Sequence, residues 1–143
     1  MNKRNSRKIM KDFPGLYPKH NPLYSSGIIL PMTFDCDDGW FKLLYQLSKD
    51  IQRVIDNQPD EQLKDFAVLQ VKEKFGELRF YVRSFNQEIG DLIKKAEEMS
   101  GQLCEICGKK GSMSVKGGWY KTVCPYHRKT EGYREIKSWR KTK

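Results

Sequence analysis

The chain has 143 residues, of which 31% are charged, and a formal net charge of +9. This length suits one domain, or a small core with an appended module, and allows an apolar core that does not depend on disulfides. No stretch approaches about 18 consecutive apolar residues, and no apolar segment follows the basic N-terminus. We therefore expect a soluble, cytoplasmic protein, in which a Cys/His cluster indicates metal binding rather than disulfides.

The charge is unevenly distributed along the chain. Residues 1–33 carry six Lys/Arg and one Asp, residues 34–100 carry ten Lys/Arg and fourteen Asp/Glu, and residues 101–143 carry eleven Lys/Arg and three Glu. A mildly acidic middle therefore lies between two basic ends, which is typical of contact with nucleic acid or another polyanion, or simply of a soluble surface. We divide the chain at these boundaries into an N-terminal arm, a core and a C-terminal module.

The N-terminal arm, residues 1–33, is predicted to be irregular, because FPGLYPKHNPLY contains three prolines that each disfavour a helix. Its aromatic residues Phe13, Tyr17 and Tyr24 indicate that the arm packs on the core. The segment SGIILPM suggests a short edge strand that ends at Pro31.

The core, residues 34–100, is predicted to contain a helix, a β-hairpin and a second helix. The first helix begins near Asp37 or Asp38 and ends at Asn57, the hairpin turns at Gly76, and the second helix spans 87–100. Apolar residues recur at helical or strand spacing in these segments. The predicted core residues are Trp40, Leu44, Leu47, Ile51, Leu69, Val71, Leu78, Phe80, Val82, Leu92 and Ile93.

The outer face of the hairpin combines basic residues with one aromatic residue. Alternation in the two strands places Lys72, Lys74, Arg79 and Arg83 on this face, with Tyr81 among them. Such a face suits single-stranded nucleic acid, and it is equally a pattern of ordinary solvated strands.

The C-terminal module, residues 101–143, contains Cys104, Cys107, Cys124 and His127 in the order C-x2-C-x16-C-x2-H. Two pairs at this spacing, separated by a hairpin-length gap, predict a four-coordinate Zn²⁺ site of the structural kind, with no position for a catalytic water. A hairpin turning at 117–118 and a basic helix running from Pro125 to 141 would complete a treble-clef-like module. The predicted fold class is therefore α+β, with a helix–hairpin–helix core and this zinc module.

A second candidate site lies at DCDDGW, where Asp35, Asp37 and Asp38 surround Cys36 and precede Trp40. The carboxylates could bind a divalent cation or act as acid and base, or they could simply cap the first helix above a small buried cysteine. The sequence contains no GxGxxG, P-loop or HExxH motif and no H-x-E element of a zinc deaminase. This shortage of reactive groups favours a function other than catalysis.

Several segments resemble, in order and spacing, a family of small bacteriophage and prophage proteins. These segments are DCDDGWFKLLYQL, VLQVKEKFGELRFYV, IGDLIKKAEEMSGQLCEICGKKG and GGWYKTVCPYH, which together cover roughly residues 34–128. The resemblance implies expression in a bacterial cytoplasm, and it assigns the metal-ligand positions to the same Cys3His set. Glu77 departs from the family pattern, which has a second glycine there. The family has no established activity to carry over.

We therefore expect a non-enzymatic phage accessory protein that binds nucleic acid through its basic C-terminal segment. The candidate contacts there are Arg128, Lys129, Arg134, Lys137, Arg140 and Lys141. Spread around a helix, these side chains suit phosphate contact better than base readout. One alternative is a modulator or inhibitor of a bacterial host protein with an acidic surface. A second is a metal-dependent enzyme, in which Lys72 or Glu73 would converge on Asp35, Asp37 and Asp38.

Overall fold

A computed structural model describes residues 1–19, 32–57 and 59–137 of the chain. Within these ranges the protein is mixed α+β, as predicted, with four α-helices and two small sheets. The helices are α1 (Lys3–Asp12), α2 (Phe41–Asn57), α3 (Gln87–Ser100) and α4 (Pro125–Glu131). The strands are β1 (Phe34–Asp35), β2 (Ala67–Lys74), β3 (Glu77–Arg83), β4 (Ser112–Lys116), β5 (Trp119–Val123) and β6 (Arg134–Glu135). Short 3-10 turns occupy Asp38–Trp40 and Glu61–Leu63.

The first sheet has the order β1-β2-β3, in which β1 runs parallel and β3 antiparallel to β2. Lys74 pairs with Glu77, so the predicted hairpin closes through a two-residue turn formed by Phe75 and Gly76. Helix α3 packs on β3, and α2 packs on α3. The predicted order of helix, hairpin and helix is therefore present, with the helices on one face of the sheet.

The main apolar core lies between this sheet and helices α1, α2 and α3. Most of the predicted core residues are buried in it, and Val82, Leu92 and Ile93 pack against it while partly exposed. Leu69 is the exception, because the pairing register shifts between Val68 and Gln70. This irregularity turns Val68 into the core in place of Leu69, since a bulge changes which residues face inward.

The prediction of an irregular N-terminal arm is wrong for its first half. Asn2 caps helix α1 by accepting a hydrogen bond from the backbone N–H of Asn5, and Ile9 is completely buried. The helix ends before Pro14, and Phe13 and Tyr17 are buried, as predicted for arm residues that pack on the core. Tyr24 and the edge strand predicted to end at Pro31 lie outside the described residues.

The C-terminal module forms the second sheet, with the order β5-β4-β6. The predicted hairpin turn at Gly117 and Gly118 is confirmed, and α4 begins at Pro125 as predicted. The predicted helix to residue 141 is wrong. Gly132 adopts a left-handed conformation with a φ of 74°, ends α4 at Glu131, and lets the chain return as β6 beside β4.

Among the described residues, backbone and side-chain hydrogen bonds attach the module to the core in two regions. At the first, the 3-10 turn after β1 meets the first cysteine pair: the Gly39 N–H donates to the Glu105 carbonyl at 2.7 Å, and Trp40 Nε1 donates to the Leu103 carbonyl at 3.1 Å. At the second, Thr122 Oγ1 donates to the Gly76 carbonyl at 2.7 Å. Within the described residues, no helix is both long enough and apolar enough to cross a membrane.

Candidate metal centre and cationic surfaces

The four predicted ligands come from two short segments that face each other. Cys104 and Cys107 lie in a tight turn closed by a hydrogen bond from the Gly108 N–H to the Cys104 carbonyl at 2.7 Å. Gly108 has a φ of 76°, and a Cβ there would lie 2.8 Å from the Gly39 carbonyl oxygen, so this position requires glycine. Cys124 precedes α4, and His127 lies in the first turn of that helix.

The ligand atoms of these four residues all lie within 4.8 Å of one another. His127 Nδ1 is 3.5 Å from Cys104 Sγ and 3.3 Å from Cys124 Sγ, and the Cys107 and Cys124 sulfurs are 3.8 Å apart. A tetrahedral site with metal–sulfur distances of about 2.3 Å separates its sulfurs by about 3.8 Å and its sulfur–nitrogen pairs by about 3.5 Å. The cysteines form no disulfide, and the group could hold a metal ion.

The protonation state of Cys124 also suits metal binding. Burial acts to raise the pKa of this thiol, but hydrogen bonds from the backbone and ring of His127 outweigh burial and lower the pKa to about 6. A thiolate, not a thiol, is the metal ligand. Cys104 is completely buried whereas Cys107 is exposed, so one edge of the cluster faces solvent.

An ion-pair cluster around buried Glu105 joins the Cys3His cluster to the core. Lys121 Nζ lies 2.5 Å from Asp37 Oδ2 and 3.2 Å from Glu105 Oε2, and Glu105 Oε1 accepts a hydrogen bond from the Asp37 N–H at 3.0 Å. Burial raises the pKa of Glu105, and the Lys121 ammonium opposes that rise. Since Glu105 stands between the first two cysteines, this cluster fixes the position of the cysteine turn.

The three carboxylates of DCDDGW have different surroundings. Asp35 is exposed on β1, Asp37 pairs with Lys121, and Asp38 accepts hydrogen bonds from Asn2 and Asn5. Asp37 occupies the N-cap position of the 3-10 turn, but its side chain makes no capping hydrogen bond.

The other residues proposed for this second site are buried or in contact with neighbouring residues of the fold. Glu73 accepts a hydrogen bond from the Gly76 N–H, and Lys72 lies over the Tyr81 ring beside its register partner Asp35. Cys36 is buried, and burial raises the pKa of its thiol to about 12. Trp40 is completely buried. Within the described residues, the side chains brought together as a possible metal site are those of the Cys3His cluster.

The C-terminal cations occupy different environments. Arg128 is engaged inside the module, where its guanidinium bonds to Glu135 Oε2 at 3.1 Å and to the hydroxyls of Ser112 and Ser114. Lys129, Arg134 and Lys137 are exposed. Arg140 and Lys141 lie outside the described residues. Arg128 therefore links α4, β4 and β6. The exposed cations are better candidates than Arg128 for contact with nucleic acid or a partner protein.

The outer face of the first sheet carries the predicted basic hairpin residues. The register pairs Lys72 with Arg79 and Lys74 with Glu77, and it places Arg83 and Tyr81 on the same face. Lys72 Nζ lies 6.0 Å from the centre of the Tyr81 ring. Glu77 reduces the positive charge at the turn, with its carboxylate 3.4 Å from Arg79.

Three features near these surfaces were not predicted. One is the exposure of the Phe75, Trp119 and Tyr126 rings, which are 57%, 79% and 69% exposed. The others are the Glu105–Lys121 pair and the helical conformation of the basic segment that forms α1. The pattern KRNSRKIMK around buried Ile9 was the available signal for that helix, whereas the ion pair joins residues too far apart for any local pattern.

A scan against protein-family models and searches of curated proteins and solved structures found no match to this chain. The resemblance to phage proteins therefore stays a prediction that rests on its motifs.

Proposed function

We propose that Cys104, Cys107, Cys124 and His127 hold a structural Zn²⁺ ion in a treble-clef-like module. The order of cysteine turn, β4–β5 hairpin and α4 supports this, as do the tetrahedral ligand separations. The buried apolar cluster of the module contains only Cys104, Val123 and Cys124 among the described residues. Metal binding would supply the folding free energy that so small a core lacks.

We further propose that the zinc-stabilised protein binds nucleic acid, as an accessory protein in the phage setting that its motifs indicate. The observation that carries this proposal is the outer face of the first sheet, where Lys72, Arg79 and Arg83 lie near Tyr81 and Lys74 lies towards the turn. The acids Asp35 and Glu77 share this face, so its net charge is positive. Exposed Lys129, Arg134 and Lys137 extend the positive charge of the module. Lys and Arg contact phosphates and release condensed counterions, while an aromatic ring on the same face can stack on a base.

The test is binding to random DNA and RNA at two salt concentrations, alongside zinc stoichiometry on untagged protein. We expect about one zinc per chain and an affinity that falls log-linearly with salt. The double variant Lys72→Gln/Arg79→Gln should reduce the salt slope by about 1–2, since each lost phosphate contact removes about 0.7–0.9. The matched control Lys49→Gln/Lys64→Gln changes the same net charge on other exposed positions. An absence of binding at about 50 mM salt would refute the proposal.

A second candidate function is modulation of a bacterial host protein. It is favoured by a groove of about 610 Å³ between α2 and α3, which apolar Leu43, Leu47, Leu92 and Met99 help to line. Met99 is 43% exposed at this groove, an exposure that suits contact with a partner protein. Co-purification from infected cells, with wild type and Met99→Glu compared, tests this function. A protein partner retained by wild type and lost by the variant would support it, and identical co-purified sets would exclude the groove.

A further inference from the structure

Phe75 occupies a backbone conformation that does not suit it. Its φ is 52° and that of Gly76 is 77°, so both loop residues of the β2–β3 turn have the positive φ that a type I′ turn requires. Asn, Asp and Gly are preferred there, whereas a bulky residue with positive φ is an outlier that costs about 1–3 kcal/mol. The ring is also 57% exposed, so its burial offsets only part of the free-energy cost of the positive φ. Phenylalanine at this position is therefore poorly explained by stability.

The surroundings of Phe75 combine aromatic rings with a cation. The Phe75 ring centre lies 6.3 Å from that of Tyr120, with the planes inclined by 73°, and Lys74 Nζ lies 5.7 Å from the Phe75 ring. The two hairpins meet here, since Thr122 of β5 donates a hydrogen bond to the Gly76 carbonyl. We call Lys74, Phe75 and Tyr120 the hairpin-tip cluster.

We propose that the hairpin-tip cluster binds single-stranded nucleic acid, with Phe75 stacking on an unpaired base and Lys74 contacting the adjacent phosphate. The inference rests on the proposed nucleic-acid binding, and it names both the ligand class and the stacking residue. Every base offers a π-face, so aromatic stacking tolerates any sequence, but a duplex keeps those faces inside its own stack. Positive charge beside the rings matches a polyanion. The outer sheet face, which ends at Lys74, supplies further cations along the same hairpin.

The decisive variant is Phe75→Asn, because asparagine tolerates positive φ and removes the ring. We expect a folding stability equal to or above that of the wild type. We also expect the affinity for 15-nucleotide oligo-dT and oligo-U to fall about 5- to 150-fold, the range measured for loss of one base-stacking ring. Phe85→Asn is the matched control, since Phe85 is also 57% exposed but follows β3 at the opposite end of the hairpin. This control should bind like the wild type.

The outcomes separate this inference from the proposed function. If neither single strands nor duplexes bind at about 50 mM salt, the proposed function fails, and the inference fails with it. If the protein binds but Phe75→Asn matches the wild type, or if a duplex binds as tightly as the single strands, only the inference is overturned. If Phe75→Asn loses affinity for only one of oligo-dT and oligo-U, the inference is supported and the ligand is identified as DNA or RNA.

Discussion

The core and the C-terminal module are stabilised in different ways. Within the described residues, the main apolar cluster contains 21 buried residues from the first 100 positions, whereas the cluster in the module contains three. The module also buries Glu105, Ser114 and Thr122, three of the five buried polar or charged residues. Each fully buried large apolar side chain contributes about 1.5–3 kcal/mol, so the core can be held by burial and the module cannot. The difference leaves the stability of the module to its attachment on the core and to the zinc site proposed for its Cys3His cluster.

Metal removal should produce the largest effect. It should unfold the module and leave the core folded. Structural zinc contributes about 10–16 kcal/mol of apparent binding free energy in small zinc domains, more than the stability of most whole proteins. From the proposed zinc site, we expect Cys107→Ser to abolish zinc binding and the hydrogen-exchange protection of β4 and β5, while β2 and β3 remain protected. Cys107 is exposed, so the substitution barely alters packing.

Cys36→Ala is the control for metal removal, because it deletes a buried thiol that belongs to the core. It should keep one zinc per chain and the protection of β4 and β5. If Cys107→Ser removed protection from both hairpins equally, the core and module would unfold as one unit, and the proposed division between them would be incorrect.

The attachment between the two parts should be the next most sensitive feature. A Cβ on Gly39 would lie 2.2 Å from the Cys104 carbonyl oxygen and 2.4 Å from that of Glu105, both backbone atoms that cannot rotate away. We expect Gly39→Ala to lower the free energy of unfolding by about 3 kcal/mol, at the upper end of overpacking effects. Urea unfolding with intrinsic tryptophan fluorescence measures this, since Trp40 is adjacent and bonds across the attachment.

Gly15→Ala is the matched control for Gly39→Ala. The nearest atom to a Cβ at Gly15 is Gln52 Oε1 at 3.6 Å, an ordinary van der Waals distance. This variant should lie within about 1 kcal/mol of the wild type. Equal stability of the two alanine variants would show that the cysteine turn moves freely on the core, contrary to the described attachment.

Local patterns in the sequence predicted the features that depend on neighbouring residues. The period of apolar residues located α2 and α3, and cysteine spacing predicted that Cys104, Cys107, Cys124 and His127 lie together. The end of α4 was missed because a single glycine inside a basic segment is compatible with a helix until its φ is known, and Gly132 proves to be left-handed. Leu69 was assigned to the core because alternation cannot reveal a bulge.

Contacts between distant residues account for the rest of what was missed. Glu105 and Lys121 appear in the sequence as two unrelated charges, and only the folded chain brings them together with Asp37. Likewise, no local pattern predicts the positive φ of Phe75 or its contact with Tyr120. The clustering of the three cysteines and His127 was therefore predictable, while the residues that hold this cluster against the core were not.

The smallest expected effect concerns the attachment of α1 to the core. Asp38 accepts hydrogen bonds from the Asn2 backbone N–H at 2.9 Å and from the Asn2 and Asn5 side-chain amides at 3.0 Å each. The Asn2 N–H is the main cause that lowers the pKa of Asp38 from its usual 3.8. Because the carboxylate is exposed and screened by solvent, we expect Asp38→Asn to cost less than about 1 kcal/mol at pH 7.

The pH dependence of this cost has a definite sign. A carboxyl group whose pKa is lower in the folded state stabilises the fold fully above its unfolded value of about 3.9, and that stabilisation is lost as the pH falls through the folded value. The difference between wild type and Asp38→Asn should therefore shrink below about pH 4 in thermal unfolding. Asp65→Asn, an exposed carboxylate after the second 3-10 turn, is the control. A difference that grew towards acid pH would mean that Asp38 is not held as an ionised acceptor, and that burial of Ile9 alone secures α1.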